Sequence, residues 1–239
     1  MNSHRLEWGG QGIVHAAVGE RALPGAVHAP VAMMTPMNKR HALQKIAISA
    51  LGLWAAAQLS ACSKNAPAFT AINITGADYG KDFALTDHNG QLRTLKDFRG
   101  KIVMMFFGYT QCPDVCPTSM VEMVNIKQLL GPDGDKLQGL FVTLDPERDT
   151  PELLKAYMEN FDPTFLALST PPDKLAALAK DYKVYYKKVP GPTPTSYTMD
   201  HTAGSYVYDT EGHLRLFTRY GTQPELTAAD IRLLLHPVA

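Results

Sequence analysis

The sequence predicts an α/β layer fold, and three features carry that expectation. Residues 101–107 and 140–144 are short, continuous apolar runs, the pattern of strands buried on both faces of a sheet. Between them, apolar side chains at 120, 123, 124, 126 and 130 draw a helical stripe. Strand, helix and strand in that order make a parallel βαβ unit with a right-handed crossover.

The other elements follow along the chain. Residues 83–86 and 91–95 flank Asn89 and Gly90, a tight-turn pair, so a β-hairpin precedes the first apolar strand. Residues 108–116 read as a loop, and Pro117 stands where a helix accepts proline, at its first position. Gly131, Pro132 and Gly134 break that helix. Thr150, ahead of Pro151, is a candidate N-cap for a helix reaching about residue 160. A short strand over 165–168 and a helix over 172–180 come next. Residues 184–198 are rich in Tyr, Lys and Pro and read as a surface insertion before the last hairpin. That hairpin pairs 203–209 with 213–219, and 224–235 forms a closing helix. An N-terminal hairpin, a βαβ core and a C-terminal ββα, with cysteines at the end of the first central strand, fit a thioredoxin-like fold.

The first sixty residues read differently. Lys39, Arg40 and Lys45 precede an apolar run over 46–59, short for a bilayer span and apt for a signal peptide. Leu59, Ser60, Ala61 and Cys62 close it in the manner of a bacterial lipobox, with Cys62 the candidate for lipidation. The expected organisation is a non-native or untranslated extension over 1–36, a lipoprotein signal over 37–61, a tether over 62–78 and a folded domain over 79–239. Cleavage before Cys62 leaves 178 of 239 residues, with 18 basic and 21 acidic side chains. That charge balance lacks the basic footprint of a nucleic-acid binder. Three cysteines are too few for a disulfide-stapled scaffold.

With Cys62 given to lipid, Cys112 and Cys116 remain as a pair outside the cytosol, where a disulfide between them can persist. They lie between a buried strand and a helix start, where the helix N-terminus favours thiolate. Three chemistries compete: an inert disulfide, a redox dithiol, and half of a metal site. The ring is wider than the C-x-x-C of thiol-disulfide enzymes, which moves weight toward metal. Four histidines follow Cys62. His88 and His213 abut turns and read as solvated, and His236 follows the last helix. His201 lies just before an apolar strand, at a sheet end, and is the candidate third ligand. Two thiolates and an imidazole suit Cu(I), or Cu(II) with an added ligand, whereas structural zinc calls for a fourth protein ligand.

These residues resemble the Sco/SenC family of copper-binding assembly proteins for cytochrome c oxidase. The likeness rests on Gly108, Tyr109, Thr110, Cys112, Pro113, Asp114, Val115, Cys116, Pro117 and Thr118. It continues through the block from Leu144 and Asp145 to Glu152, and through Asp200, His201, Thr202, Tyr206, Val207 and Asp209. The resemblance implies a thioredoxin-like fold, copper held by Cys112, Cys116 and His201, and a supporting role for Asp145 near the ligands. Read from its own residues, Asp145 is equally a turn or capping residue before Pro146. The resemblance also implies a copper donor, and the binuclear copper site of oxidase subunit II as acceptor of copper or of reducing equivalents. With the lipobox, the expected location is the periplasmic side of a bacterial membrane, lipid-anchored, on the inner membrane. A thiol-disulfide reductase is the main rival. A peroxide-handling relative ranks last, because the loop contains no Arg.

Overall fold

The computed structural model describes residues 69–193 and 196–237. The expected extension, signal segment and Cys62 lie outside the described residues. The elements in order are β1 (Ile72–Asn73), β2 (Leu85–Asp87), β3 (Leu92–Arg93), β4 (Ile102–Gly108), α1 (Val115–Leu129), β5 (Leu137–Thr143) and α2 (Pro151–Glu159). They continue with β6 (Leu166–Ser169), α3 (Pro172–Asp181), β7 (Tyr186–Pro190), β8 (Tyr197–His201), β9 (Gly204–Tyr208), β10 (Leu214–Arg219) and α4 (Pro224–Leu235).

Eight strands form one sheet in the order β1-β10-β9-β4-β5-β6-β2-β3. Its centre is the predicted parallel unit: β4 pairs with β5 from Ile102 opposite Leu137 to Gly108 opposite Thr143, and β6 extends it in parallel. Both β4 and β5 are buried at every position, as the apolar runs over 102–107 and 140–142 require. Each large side chain fully buried there contributes about 1.5–3 kcal/mol. On the far side β9 runs antiparallel to β4, with Phe106 opposite Ser205. The predicted hairpins β2–β3 and β9–β10 are both present. In the first, Gly90 takes a φ of 81°, the left-handed conformation that glycine adopts without strain.

This register brings three segments to one edge. Parallel neighbours end at the same edge, so the loops after β4 and β5 emerge side by side. An antiparallel neighbour begins there, so the residues before β9 arrive at the same place. Chain order alone therefore delivers the 109–114 loop, the 144–150 loop and the 201–203 segment to one end of the sheet.

Four expectations need correction. The helix after the cysteine loop begins at Val115, not Pro117, so Cys116 sits in its first turn. Pro117 is tolerated as the third helical residue, because first-turn N–H groups have no intrahelical partner anyway. The second apolar strand begins at Leu137, earlier than expected, because Gln138 is buried and its amide donates to the Gly139 and Thr164 carbonyls. The insertion is a regular antiparallel hairpin, β7 with β8, and it has buried anchors in Val184 and Met199. From Phe69 onward the expected tether belongs to the domain: β1 pairs with β10, and the Thr70 and Ala71 N–H groups donate to the buried Asp230 carboxylate. Two-residue strands leave too little periodicity to read.

Candidate metal centre

The two cysteines come from the turn after β4 and the first turn of α1, and His201 is the last residue of β8. Their donor atoms all lie within 4.8 Å of one another. Nε2 of His201 is 3.5 Å from Sγ of Cys116, and the Cys116 N–H donates to Cys112 Sγ at 3.4 Å. Donors bound about 2.0–2.3 Å from one ion stand at most ~4.6 Å apart, so an ion needs only a slight closing of this triangle. Among the described residues no fourth Cys, His, Asp or Glu joins the cluster. Both cysteines are free thiols here, Cys116 fully buried and Cys112 half-buried. A bond between them belongs to an oxidised form.

Local packing sets the histidine. Its Nδ1 lies 3.0 Å from the Thr202 carbonyl oxygen, which can only accept, so the proton sits on Nδ1 and the Nε2 lone pair faces sulfur. Phe106 and Tyr109 meet the ring edge-on, each with centroids 6.0 Å away. Gly108 is required by close approach: a Cβ there would stand 2.9 Å from Cys116 Sγ and 2.8 Å from the Phe106 ring. Burial pushes the Cys116 thiol well up and the His201 imidazole down, so both of these groups favour their neutral forms.

The 144–150 loop buttresses the triangle. Asp145, 1% exposed, receives the Tyr197 hydroxyl at 2.8 Å and the Arg148 Nε. It touches no ligand atom in the contacts described, so its part is to order the loop and the hairpin. Asp149 was not singled out for a role by sequence, and neither was Arg148. The Asp149 carboxylate accepts from the Thr110 N–H at 3.1 Å and from the Thr110 and Thr143 hydroxyls at 2.6 Å each, tying the cysteine loop to β5. Burial raises its carboxyl above the usual range, against those bonds. Both residues fall within the block that carried the family resemblance, but nothing local says where their side chains point. Asp149→Ala would strand three donors and is expected to lower stability by about 1–3 kcal/mol. Thermal unfolding measures this, and an unchanged melting curve would show that those donors find other partners.

The remaining histidines stay apart from the triangle. His213 is largely exposed beside Asp209 and Glu211, as expected. His236 caps α4 and meets Asp133 at 2.8 Å. His88 departs from expectation: it is half-buried, and its Nδ1 accepts the Ala167 N–H at 3.1 Å, joining the hairpin turn to β6. An arginine does reach the cysteine loop, from position 148 rather than from within it. Its Nε and Nη1 are committed to Asp145, Gln111 and the Tyr197 carbonyl.

A family model described as SCO1/SenC matches residues 73–236. The mitochondrial SCO2 homolog of Bos taurus is 38% identical over 141 residues, 58% of this chain and 52% of that protein. The chain thus spans about half the length of the mammalian relatives it matches. Among solved structures, Bradyrhizobium japonicum ScoI with copper bound is 44% identical, with a TM-score of 0.60, covering 66% of this chain and 99% of that one. Yeast Sco1 with copper bound is 30% identical, with a TM-score of 0.62, covering 68% and 91%.

Proposed function

Because this chain belongs to the SCO1/SenC family, we propose that it is a copper carrier whose cargo is held by Cys112, Cys116 and His201. The observation that carries the reading is the triangle itself: two sulfurs and one imidazole nitrogen within 4.8 Å, a soft set with three donors and no fourth among the described residues. Thiolate favours copper(I), and low coordination number suits it where zinc would want more. Two relatives at 30% identity or above are described with copper bound. The half-exposed Cys112 is where an acceptor's ligand would enter, and the buried Cys116 would let go last.

The acceptor under this reading is the binuclear copper site of cytochrome c oxidase subunit II, which the family resemblance supports, and a separate donor would load the site. A lipid on Cys62 would hold the domain on the periplasmic side of a bacterial inner membrane. The basic, apolar and small-residue order of 39–62 supports that placement. None of the described helices is long and apolar enough to cross a membrane.

Titration of the reduced full chain with copper(I) against a chelator tests the site. One equivalent is expected to bind, and His201→Ala and Cys112→Ser are each expected to bind more weakly. Undiminished stoichiometric binding in both variants would refute the assignment.

One observation favours a second reading, a thiol-disulfide reductase: a half-exposed sulfur stands in front of a buried one. In that reaction Cys112 attacks a partner disulfide, and Cys116 then displaces the mixed disulfide. A Cys112–Cys116 bond forms, and the partner leaves with two thiols, having gained two electrons and two protons. His201→Ala discriminates, because a pure dithiol tolerates it and a copper carrier does not.

A further inference from the structure

The hairpin β7–β8 carries His201, yet among the described residues it shares no strand pairing with the eight-stranded sheet. At one end the chain runs directly from His201 into β9, three residues on. At the other end something else must fix Tyr197. The Lys188–Glu147 ion pair, 2.6 Å long, is half-exposed on both sides and contributes little in water. Arg148 is placed differently. Its Nε donates to Asp145, and its Nη1 donates to the Tyr197 carbonyl at 3.0 Å and to Gln111 Oε1 at 3.2 Å. Its guanidinium carbon lies 3.5 Å from the centroid of the Tyr197 ring. The Tyr197 hydroxyl closes the circuit on Asp145 at 2.8 Å.

Gln111 immediately precedes Cys112, and Tyr197 opens the strand that ends in His201. One planar cation therefore grips both ligand-bearing segments, anchored on a carboxylate that is shut away from water. We propose that Arg148 is a positioning residue for copper capture: it latches the hairpin to the cysteine loop, so that His201 Nε2 already faces Cys116 when the ion arrives. This rests on the copper reading above and deepens it. Nε, Nη1 and the flat face are all in use, while Nη2 is buried without a partner, so lysine replaces the charge but not the latch. Without the latch the imidazole keeps its edge-on contacts with Phe106 and Tyr109, the buried anchor Met199 and its short link to β9, and it loses the polar tie to the cysteine loop.

The test uses the full chain, reduced, with copper(I) competition against a chelator and NMR of the His201 ring in the metal-free protein. Arg148→Ala is expected to weaken copper binding by about 10- to 100-fold, the usual cost of losing a group that orients a ligand. Its His201 ring signals, expected as a single sharp set in the wild type, should broaden or split. Arg148→Lys should recover only part of both. Wild-type affinity with a single sharp ring signal in Arg148→Ala would overturn the proposal. If that variant does not fold, Arg148→Lys decides, because it keeps the charge and loses the paired Nη1 bonds to Gln111 and the Tyr197 carbonyl and the flat face over the Tyr197 ring. A severalfold weaker site with a broadened ring upholds the latch, and an unchanged one overturns it. Failure of the wild type to bind copper would sink the functional reading alone, and the metal-free ring signals would still decide whether Arg148 holds the hairpin.

Discussion

Cys116→Ser is expected to weaken copper(I) binding by about a thousandfold or more, roughly 4 kcal/mol. Cys116 is 0% exposed and its sulfur is 3.5 Å from the histidine nitrogen, so it stands at the inner corner of the triangle. A serine hydroxyl there is a hard, neutral donor that does not ionise near neutral pH, and copper(I) would be left with one sulfur and one nitrogen. No water can reach a fully buried corner to stand in. The half-exposed Cys112 differs, since solvent or an added thiol can partly replace it. The fold should persist, because oxygen is smaller than sulfur and adds no clash at the buried corner. Chelator competition with circular dichroism as the folding control checks this. Affinity within tenfold of the wild type would remove Cys116 from the ligand set.

Copper binding should also strengthen as pH rises, by about tenfold per pH unit for each proton the ion displaces. The sign follows from burial acting oppositely on the Cys116 thiol and the half-buried His201 imidazole. It raises the Cys116 thiol, so that across neutral pH this group keeps its proton until the metal takes it. It lowers the His201 imidazole, so that ring is already neutral and contributes no proton. Raising the pH therefore removes the competitor at Cys116. Falling below the His201 range adds a second competitor, and the loss steepens. Proton release in a weakly buffered titration reads the count directly, and Cys116→Ser should release one fewer. An affinity that stays flat between about pH 6 and 8 would mean that Cys116 is ionised before copper arrives.

The core and the ligands were legible to different degrees. The apolar runs over 101–107 and 140–144 marked the central strands β4 and β5, and Thr150 ahead of Pro151 marked the start of α2, where its hydroxyl accepts the Leu153 N–H. The cysteine pair and His201 stood out by residue type and by family likeness. Beta-strand β1 was lost in the tether because two residues carry no period. The insertion hairpin was hidden because its strands alternate weakly and are half-exposed, leaving only Met199 buried in β8. Arg148 and Asp149 lay within the family-like block without a role of their own, because a side chain's partners 37 to 49 positions away leave no local trace.

The residues alone specified which segments become strands and helices, and which side chains could ligate a soft ion. Those properties are set by neighbours one to four positions apart, where alternation, helical spacing and capping act. Whether an imidazole 85 positions from Cys116 reaches it was decided by strand order and register, and by the contacts of Arg148. Pairing β4 parallel to β5 and antiparallel to β9 turns three distant loops toward one edge. That outcome depends on the packing of the whole sheet, and no stretch of the chain contains it.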